Sequence, residues 1–91
     1  MSANVQTSQS LPTLQSGNTG EAVRYLQRIL NCLSYGPVAT DANFGPQTET
    51  AVKNFQSNYP PLAVDGVVGS QTWWQIVRVF ADSSFCNNSA K

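Results

Sequence analysis

Few residues in this sequence could carry out catalysis. The chain has 91 residues, with five Asp and Glu residues, two cysteines and no histidine. Without histidine it can form neither a Ser-His-Asp nor a Cys-His arrangement, nor a zinc site with histidine ligands. Glycoside hydrolysis needs two carboxyl groups about 5–10 Å apart across one cleft. Turns and helix starts account for most of the acidic residues here. We therefore predict that the chain is not an enzyme and uses no cofactor and no metal.

The composition narrows the classes of partner. Charged residues make up 11% of the chain and the formal net charge is zero, whereas a protein that binds a phosphate backbone needs a basic face. No apolar run approaches the roughly 20 residues that span a membrane. We expect a monomer that binds neither nucleic acid nor membrane. The abundant Ser, Asn, Gln and Thr suit a carbohydrate or amide-rich partner, and equally an ordinary polar surface.

The two cysteines leave two interpretations open. Cys32 and Cys86 are 54 positions apart, which is not the spacing of a metal motif. A disulfide between them would close a loop worth about 4 kcal/mol in the chain-entropy model and would indicate an oxidising compartment. The alternative is two unpaired thiols. The first ten residues lack a basic region followed by an apolar one, so no signal peptide is visible.

Apolar spacing predicts three helices in one small domain. The +3 and +4 spacing of apolar residues predicts a first helix over 20–34, with Asn18 or Thr19 as its N-cap. A second helix is predicted over 46–58, starting at a proline, and a third over 70–80. The polar ends predict a flexible leader over 1–13 and a tail over 82–91, so the domain occupies 14–81.

The turns before the second and third helices repeat. The pattern Asp-x-x-apolar-Gly-x-Gln-Thr occurs at 41–48 and again at 65–72, a shift of 24 positions. The Asp can accept hydrogen bonds from turn N–H groups, and Gly tolerates unusual φ angles at a helix start. The predicted fold is all-α, a compact three-helix bundle with little or no sheet beyond brief pairing at 62–64. Six residues receive structural turn roles: Asp41, Gly45, Asp65, Gly66, Gly69 and Thr72.

Three ordered segments carry a family resemblance. Residues 14–30 fit Leu-x-x-Gly-x-x-Gly-x-x-Val-x-x-Leu-Gln-x-x-Leu. Residues 44–56 fit Phe-Gly-x-x-Thr-x-x-Ala-Val-x-x-Phe-Gln, and residues 64–73 fit Val-Asp-Gly-x-x-Gly-x-x-Thr-Trp. Together these segments resemble the peptidoglycan-binding module at the ends of bacterial cell-wall hydrolases. The resemblance covers 14–77.

The resemblance implies a function as well as a fold. It implies a non-catalytic module that binds peptidoglycan and holds an attached amidase, peptidase or glycosidase on its polymer. It also implies a location in the cell envelope, periplasmic or extracellular. The chain departs from the family by containing no catalytic domain and by the Pro-rich stretch at 59–62.

Two other functions use a similar fold. Pro-domains of zinc metalloproteases resemble it and carry a cysteine that blocks the active-site zinc. Cys86 lies in about that region but lacks the Arg-Cys-Gly surroundings of those proteins. A protein-interaction or pro-segment-like module is therefore the alternative function. A structural component of a phage or an envelope is a third.

The expected contact surface is a shallow groove between the first helix on one side and the second helix with its following loop on the other. Two glutamines each follow a core residue, which predicts that they point to an edge, where an amide can donate and accept. Bonding a loop carbonyl is the structural alternative for both. Arginine suits a carboxylate, and neighbouring helix positions diverge by about 100°, which exposes the second of two adjacent tryptophans. The predicted contacts are Arg24, Gln27, Gln56, Asn58, Tyr59 and Trp74.

Overall fold

Three helices form the domain, as predicted. The computed structural model describes residues 11–83. The helices are α1 (Glu21–Cys32), α2 (Pro46–Asn58) and α3 (Ser70–Asp82). Residues 11–83 contain no β-strand, only two isolated β-bridges. The all-α three-helix prediction is confirmed, and α3 continues two residues beyond its predicted end at Phe80.

The N-cap of α1 differs from the prediction. Gly20 is the N-cap, with φ at 120° and no side-chain hydrogen bond to the helix. Asn18 instead accepts a hydrogen bond at its Oδ1 from the backbone N–H of Gln15, 2.8 Å away. Its side chain closes a turn that precedes the helix, so neither Asn18 nor Thr19 caps α1. A positive φ at the N-cap position favours glycine over both.

The segment before α1 lies along both repeated turns. Leu14 pairs with Val68 in one antiparallel bridge, and Thr19 pairs with Asn43 in the other. Leu14 and Val68 exchange backbone hydrogen bonds of 3.1 and 2.8 Å. The brief extended pairing expected at 62–64 is not found there. The two bridges instead join the chain before α1 to Asn43 and Val68, which lie in the two repeated turns.

The apolar core lies between the helices and beneath the turns. Phe55 is fully buried near its centre, with the ring of Tyr35 at 5.4 Å and the ring of Tyr59 at 4.7 Å between centroids. Such aromatic pairs stabilise a core beyond the area that they bury. The remaining buried apolar side chains are Leu14, Val23, Leu26, Ile29, Leu30, Val38, Phe44, Ala51, Val52, Val68, Trp73 and Ile76.

The packed part of the chain begins before Leu14. The side chain of Leu11 packs against the core, and the carbonyl oxygen of Pro12 accepts a hydrogen bond of 2.6 Å from Trp73 Nε1. A buried indole N–H needs such a partner. Residues 11 and 12 are therefore fixed to the domain and do not belong to the predicted flexible leader. Residues 1–10 of that leader and most of the predicted tail lie outside the described residues.

Candidate functional site

A glutamine of α1 holds the first repeated turn. Gln27 Nε2 donates to the carbonyl oxygen of Asn43 at 2.9 Å, to Thr48 Oγ1 at 3.1 Å and to Asp41 Oδ1 at 3.3 Å. Gln27 Oε1 accepts from the backbone N–H of Ala42 at 3.0 Å. One buried amide group thus satisfies backbone and side-chain groups along the whole turn.

A glutamine of α2 holds the second turn in the same way. Gln56 Nε2 donates to the carbonyl oxygen of Val67 at 2.9 Å, to Asp65 Oδ1 at 3.1 Å and to Thr72 Oγ1 at 3.2 Å. Gln56 Oε1 accepts from the backbone N–H groups of Asp65 and Gly66 at 3.1 and 3.0 Å. The two turns therefore share an internal amide clamp, which consists of one glutamine from the preceding helix.

The two glutamines were predicted as surface contacts, but the structure buries both. Gln27 is 0% exposed and Gln56 is 1% exposed. Each turn folds over the helix that precedes it and covers the side on which an exposed edge was expected. Their amides bond the turns, so the structural alternative describes both residues. A ligand on the surface does not reach them.

The turn aspartates use one oxygen each within the turn. Asp41 Oδ1 accepts from the backbone N–H of Asn43, and Asp65 Oδ1 accepts from the backbone N–H of Val67, both at 3.0 Å. The backbone hydrogen bond from Asn43 lowers the pKa of Asp41, and the amide of Gln27 and the charge of Arg24 act in the same direction.

We expect Asp41→Asn to change the acid sensitivity of folding. A carboxyl whose pKa is lowered by folding stabilises the protein above its unfolded pKa, and that stabilisation is lost as the pH falls through the folded pKa. Asparagine keeps the accepting oxygen and does not titrate. The variant should therefore unfold at lower urea than the wild type at pH 7, with a smaller difference at pH 3. If the urea midpoints of the wild type and the variant differed equally at both pH values, this role of the Asp41 carboxylate would be contradicted.

Two of the turn glycines do not have the role predicted for them. Gly45 and Gly69 have φ values of −107° and −89°, in the region open to any residue. The left-handed positions are Ala42, with φ at 65°, and Gly66, with φ at 76°. The second residue of each repeat, after the Asp, therefore makes the unusual backbone turn, and the glycine before each helix does not.

A groove runs along α2 beside the loop that follows α1. Its volume is about 420 Å³. The walls are residues 35–38 on one side and the outer face of α2 on the other, at Pro46, Gln47, Thr50, Ala51 and Asn54. We name it the α2 groove. Neutral amide and hydroxyl side chains supply its polar atoms on the helix side, so it offers hydrogen bonds without charge.

Two predicted contacts lie at one end of the α2 groove. Asn58 is one turn beyond Asn54, and its Nδ2 donates to the hydroxyl oxygen of Tyr35 at 2.8 Å. Tyr59 packs against the core, and burial together with the neighbouring Tyr35 raises the pKa of its hydroxyl. Tyr59 is half-buried. The structure therefore brings Asn58 and Tyr59 together around Tyr35.

Arg24 and Trp74 do not line the α2 groove. The Arg24 Nε lies 3.7 Å from Glu21 Oε1, and its charge reaches Asp41 rather than the groove. The Trp74 side chain is 55% exposed on α3, with the guanidinium of Arg78 5.1 Å from the centre of its ring. The second tryptophan of the pair is thus the outer one, with an arginine covering part of it.

The groove residues that sequence reasoning missed share a pattern. These residues, Gln47, Thr50 and Asn54, follow +3 and +4 spacing along α2, and the predicted contact Asn58 continues it at +4, which places all four on one helix face. This uncharged stripe was visible in the sequence. Apolar spacing predicts the buried face of a helix, whereas a polar stripe is equally typical of an ordinary solvent-exposed face.

Other kinds of site are not found in the described part of the chain. Among residues 11–83, no three His, Cys, Asp or Glu side chains come together to hold a metal ion. No helix there has the length and hydropathy to cross a membrane. Cys32 is disulfide-bonded. Cys86 lies outside the described residues, so the Cys32–Cys86 pairing stays a prediction.

Similar proteins and structures place the chain in a family. It is 44% identical over 72 residues to the zinc D-Ala-D-Ala carboxypeptidase of Streptomyces albus G, covering 77% of this chain and 28% of that enzyme. The crystal structure of the SleB N-terminal domain matches with a TM-score of 0.72 at 34% identity, covering 77% of this chain and 94% of that one.

A second structure agrees. A peptidoglycan-binding protein from Clostridioides difficile, solved in complex with glutamine hydroxamate, matches with a TM-score of 0.71 at 36% identity. The match covers 76% of this chain and 42% of that protein. The profile of the putative peptidoglycan binding domain matches residues 19–76, which include all of α1 and α2 and part of α3. The chain belongs to the family of putative peptidoglycan-binding domains.

Proposed function

We propose that the chain binds bacterial peptidoglycan without catalysis and anchors an associated wall hydrolase on its polymer. The α2 groove carries the proposal, because its stripe of neutral amides and a hydroxyl fits a polymer rich in acetamido groups and peptide bonds. The carboxypeptidase relative supports the link to a hydrolase, since the chain spans 28% of that enzyme. The proposed location is the cell envelope, periplasmic or extracellular, and the proposed state is a monomer.

The groove suits an extended, uncharged segment. An amide can donate and accept at once, so Gln47 and Asn54 can bond to both atoms of a ligand amide. Tyr35 adds an apolar ring at one end, with its hydroxyl held by Asn58. Asn54 has no side-chain hydrogen bond within the described residues, which leaves its amide available to a ligand.

The first experiment is co-sedimentation of the protein with insoluble peptidoglycan sacculi, with chitin and cellulose as controls. We expect selective pelleting with sacculi. Asn54→Ala should weaken binding about threefold to tenfold, the value of one or two net hydrogen bonds. Gln15→Ala is the control, since Gln15 is exposed and its side chain lines neither the α2 groove nor either repeated turn. Absence of wild-type pelleting at high protein concentration would reject the proposed function. Equal binding by the wild type and Asn54→Ala would reject the groove as its surface.

Trp74→Ala tests a second contact. An exposed indole can cover the face of a sugar ring, so we expect weaker sacculus binding with helical circular dichroism unchanged. Arg78→Ala serves as the companion variant, because it uncovers the indole without removing it. Unchanged binding by Trp74→Ala would exclude the tryptophan from the contact surface.

A further inference from the structure

The repeated turns each form a cleft. The first cleft, within residues 39–48, has a volume of about 330 Å³. The second cleft, within residues 62–72, has a volume of about 250 Å³. Adding 24 to the number of each residue that lines the first cleft gives a residue that lines the second. The repeat therefore duplicates a concave surface as well as a turn.

The two clefts share most of their lining chemistry. Both present an alanine, the turn aspartate, the glycine that precedes the helix, and the Gln and Thr of the repeat. The fold explains two of these residues. The aspartate bonds the turn, and the threonine hydroxyl accepts a hydrogen bond from the buried glutamine clamp. The glycine and the exposed glutamine need another explanation.

The glycines keep the clefts open. Gly45 and Gly69 have backbone angles that any residue can adopt. A Cβ built on either glycine meets no atom within 4 Å, so close packing does not require glycine either. A side chain at either position would therefore occupy the cleft.

The exposed glutamines have no structural partner. The side chains of Gln47 and Gln71 form no hydrogen bond to any of residues 11–83, and both residues are exposed. They differ in this respect from Gln27 and Gln56, whose amides are buried and bonded. An unbonded amide thus stands at the same place in both clefts.

From these observations we propose that the two clefts are equivalent subsites, each of which takes one amide group of a repeating polymer. The inference rests on the proposed function and deepens it, because it makes the domain bivalent. Neither cleft is lined by Lys or Arg, and each contains an aspartate, which disfavours an anionic group. A neutral acetamido group or peptide amide matches the remaining donors and acceptors.

Bivalency has a measurable consequence on an insoluble wall. When two subsites engage one polymer, the second binding event is intramolecular and avidity exceeds either single affinity by roughly 10²–10⁴-fold where the geometry permits both. Blocking one cleft should therefore weaken binding to sacculi at least about tenfold. The same block should barely change the affinity of the other cleft for a small soluble ligand.

The test uses Gly45→Ser, Gly69→Ser and the double variant. Serine is a favoured N-cap residue, so the folded state should be kept while the new side chain fills the cleft. The soluble probe is the disaccharide-peptide monomer released from sacculi by muramidase, titrated by calorimetry and by amide NMR shifts. From the amide shifts of residues 39–48 and 62–72, we expect two occupied clefts in the wild type, one in each single variant and none in the double variant. Chitotetraose and the free stem peptide, titrated separately, show whether the amide belongs to the glycan or to the peptide.

Several outcomes separate the inference from the proposed function. If the serine variants unfold at the same temperature as the wild type, and the Gln15→Ala control keeps both sites, a site lost in a serine variant is assigned to the cleft that the serine fills. Suppose that the wild type pellets with sacculi but has only one site for the monomer, or that both serine variants bind as the wild type does. Either result overturns the bivalent inference and leaves the proposed function standing. Failure of the wild type to pellet with sacculi overturns both. Pelleting with sacculi without binding of the monomer overturns only the bivalent inference.

Discussion

Gln56→Met should lower the free energy of unfolding by about 3 kcal/mol. Methionine keeps the length and much of the volume of glutamine and removes every hydrogen bond of the clamp. The backbone N–H of Gly66 is then left buried without its acceptor, and the Thr72 hydroxyl loses its donor. Leaving a buried polar group unsatisfied costs about 1–3 kcal/mol. Such a loss is a large part of the roughly 5–15 kcal/mol that stabilises a domain.

The chain offers a matched control for this substitution. Gln47→Met makes the same chemical change on the same helix, at an exposed residue without an internal hydrogen bond. Surface changes of that kind stay within about 0.5 kcal/mol. Urea unfolding followed by circular dichroism measures both variants. Equal midpoints for the two would mean that the buried amide does not hold the second turn.

Gln27→Met extends the test to the other turn. Gln27 makes the corresponding set of bonds to residues 41–48. Because the two clamps share no hydrogen-bond partner, their losses should be nearly additive. If the double variant lost clearly less free energy of unfolding than the sum of the two single losses, the turns would be coupled through the core.

Helix positions could be read from the sequence because they depend on local spacing. The predicted bounds of α2 agree with the structure at both ends, since Pro46 fixes its start and the Tyr59-Pro60 sequence follows its end. The cap of α1 could not be read in this way. Its Asn18 was a good candidate by residue type, but the segment before α1 is held by long-range bonds to both turns, and those bonds decide its path.

The clamps show why the site was harder to predict than the fold. The turn pattern repeats after 24 positions, whereas Gln27 and Gln56 are 29 positions apart. Aligning the turns therefore does not align the glutamines. Their burial depends on a turn that folds back over the preceding helix, a contact between residues 9 to 21 positions apart. The Tyr35–Asn58 bond, over 23 positions, is equally invisible to local spacing.

Exchanging the left-handed residues of the two turns should give stability changes of opposite sign. Ala42 and Gly66 occupy equivalent positions with φ values of 65° and 76°. The left-handed region costs a residue with a Cβ about 1–2 kcal/mol, while glycine loses roughly 0.5–1 kcal/mol more through chain entropy. Ala42→Gly should therefore raise the free energy of unfolding by about 0.5–1 kcal/mol.

Gly66→Ala should lower it by about 1–2 kcal/mol, because its cost has two sources. The added Cβ must adopt the left-handed conformation, and it would lie 2.9 Å from Glu49 Cγ, so the Glu49 side chain must move. That movement separates Glu49 from Lys53, now 3.8 Å apart, although a partly exposed pair of this kind contributes little. Thermal and urea unfolding of both variants measure the pair of effects. Destabilisation by Ala42→Gly would show that the first turn tolerates its alanine without strain, since only strain at Ala42 gives the two substitutions opposite signs.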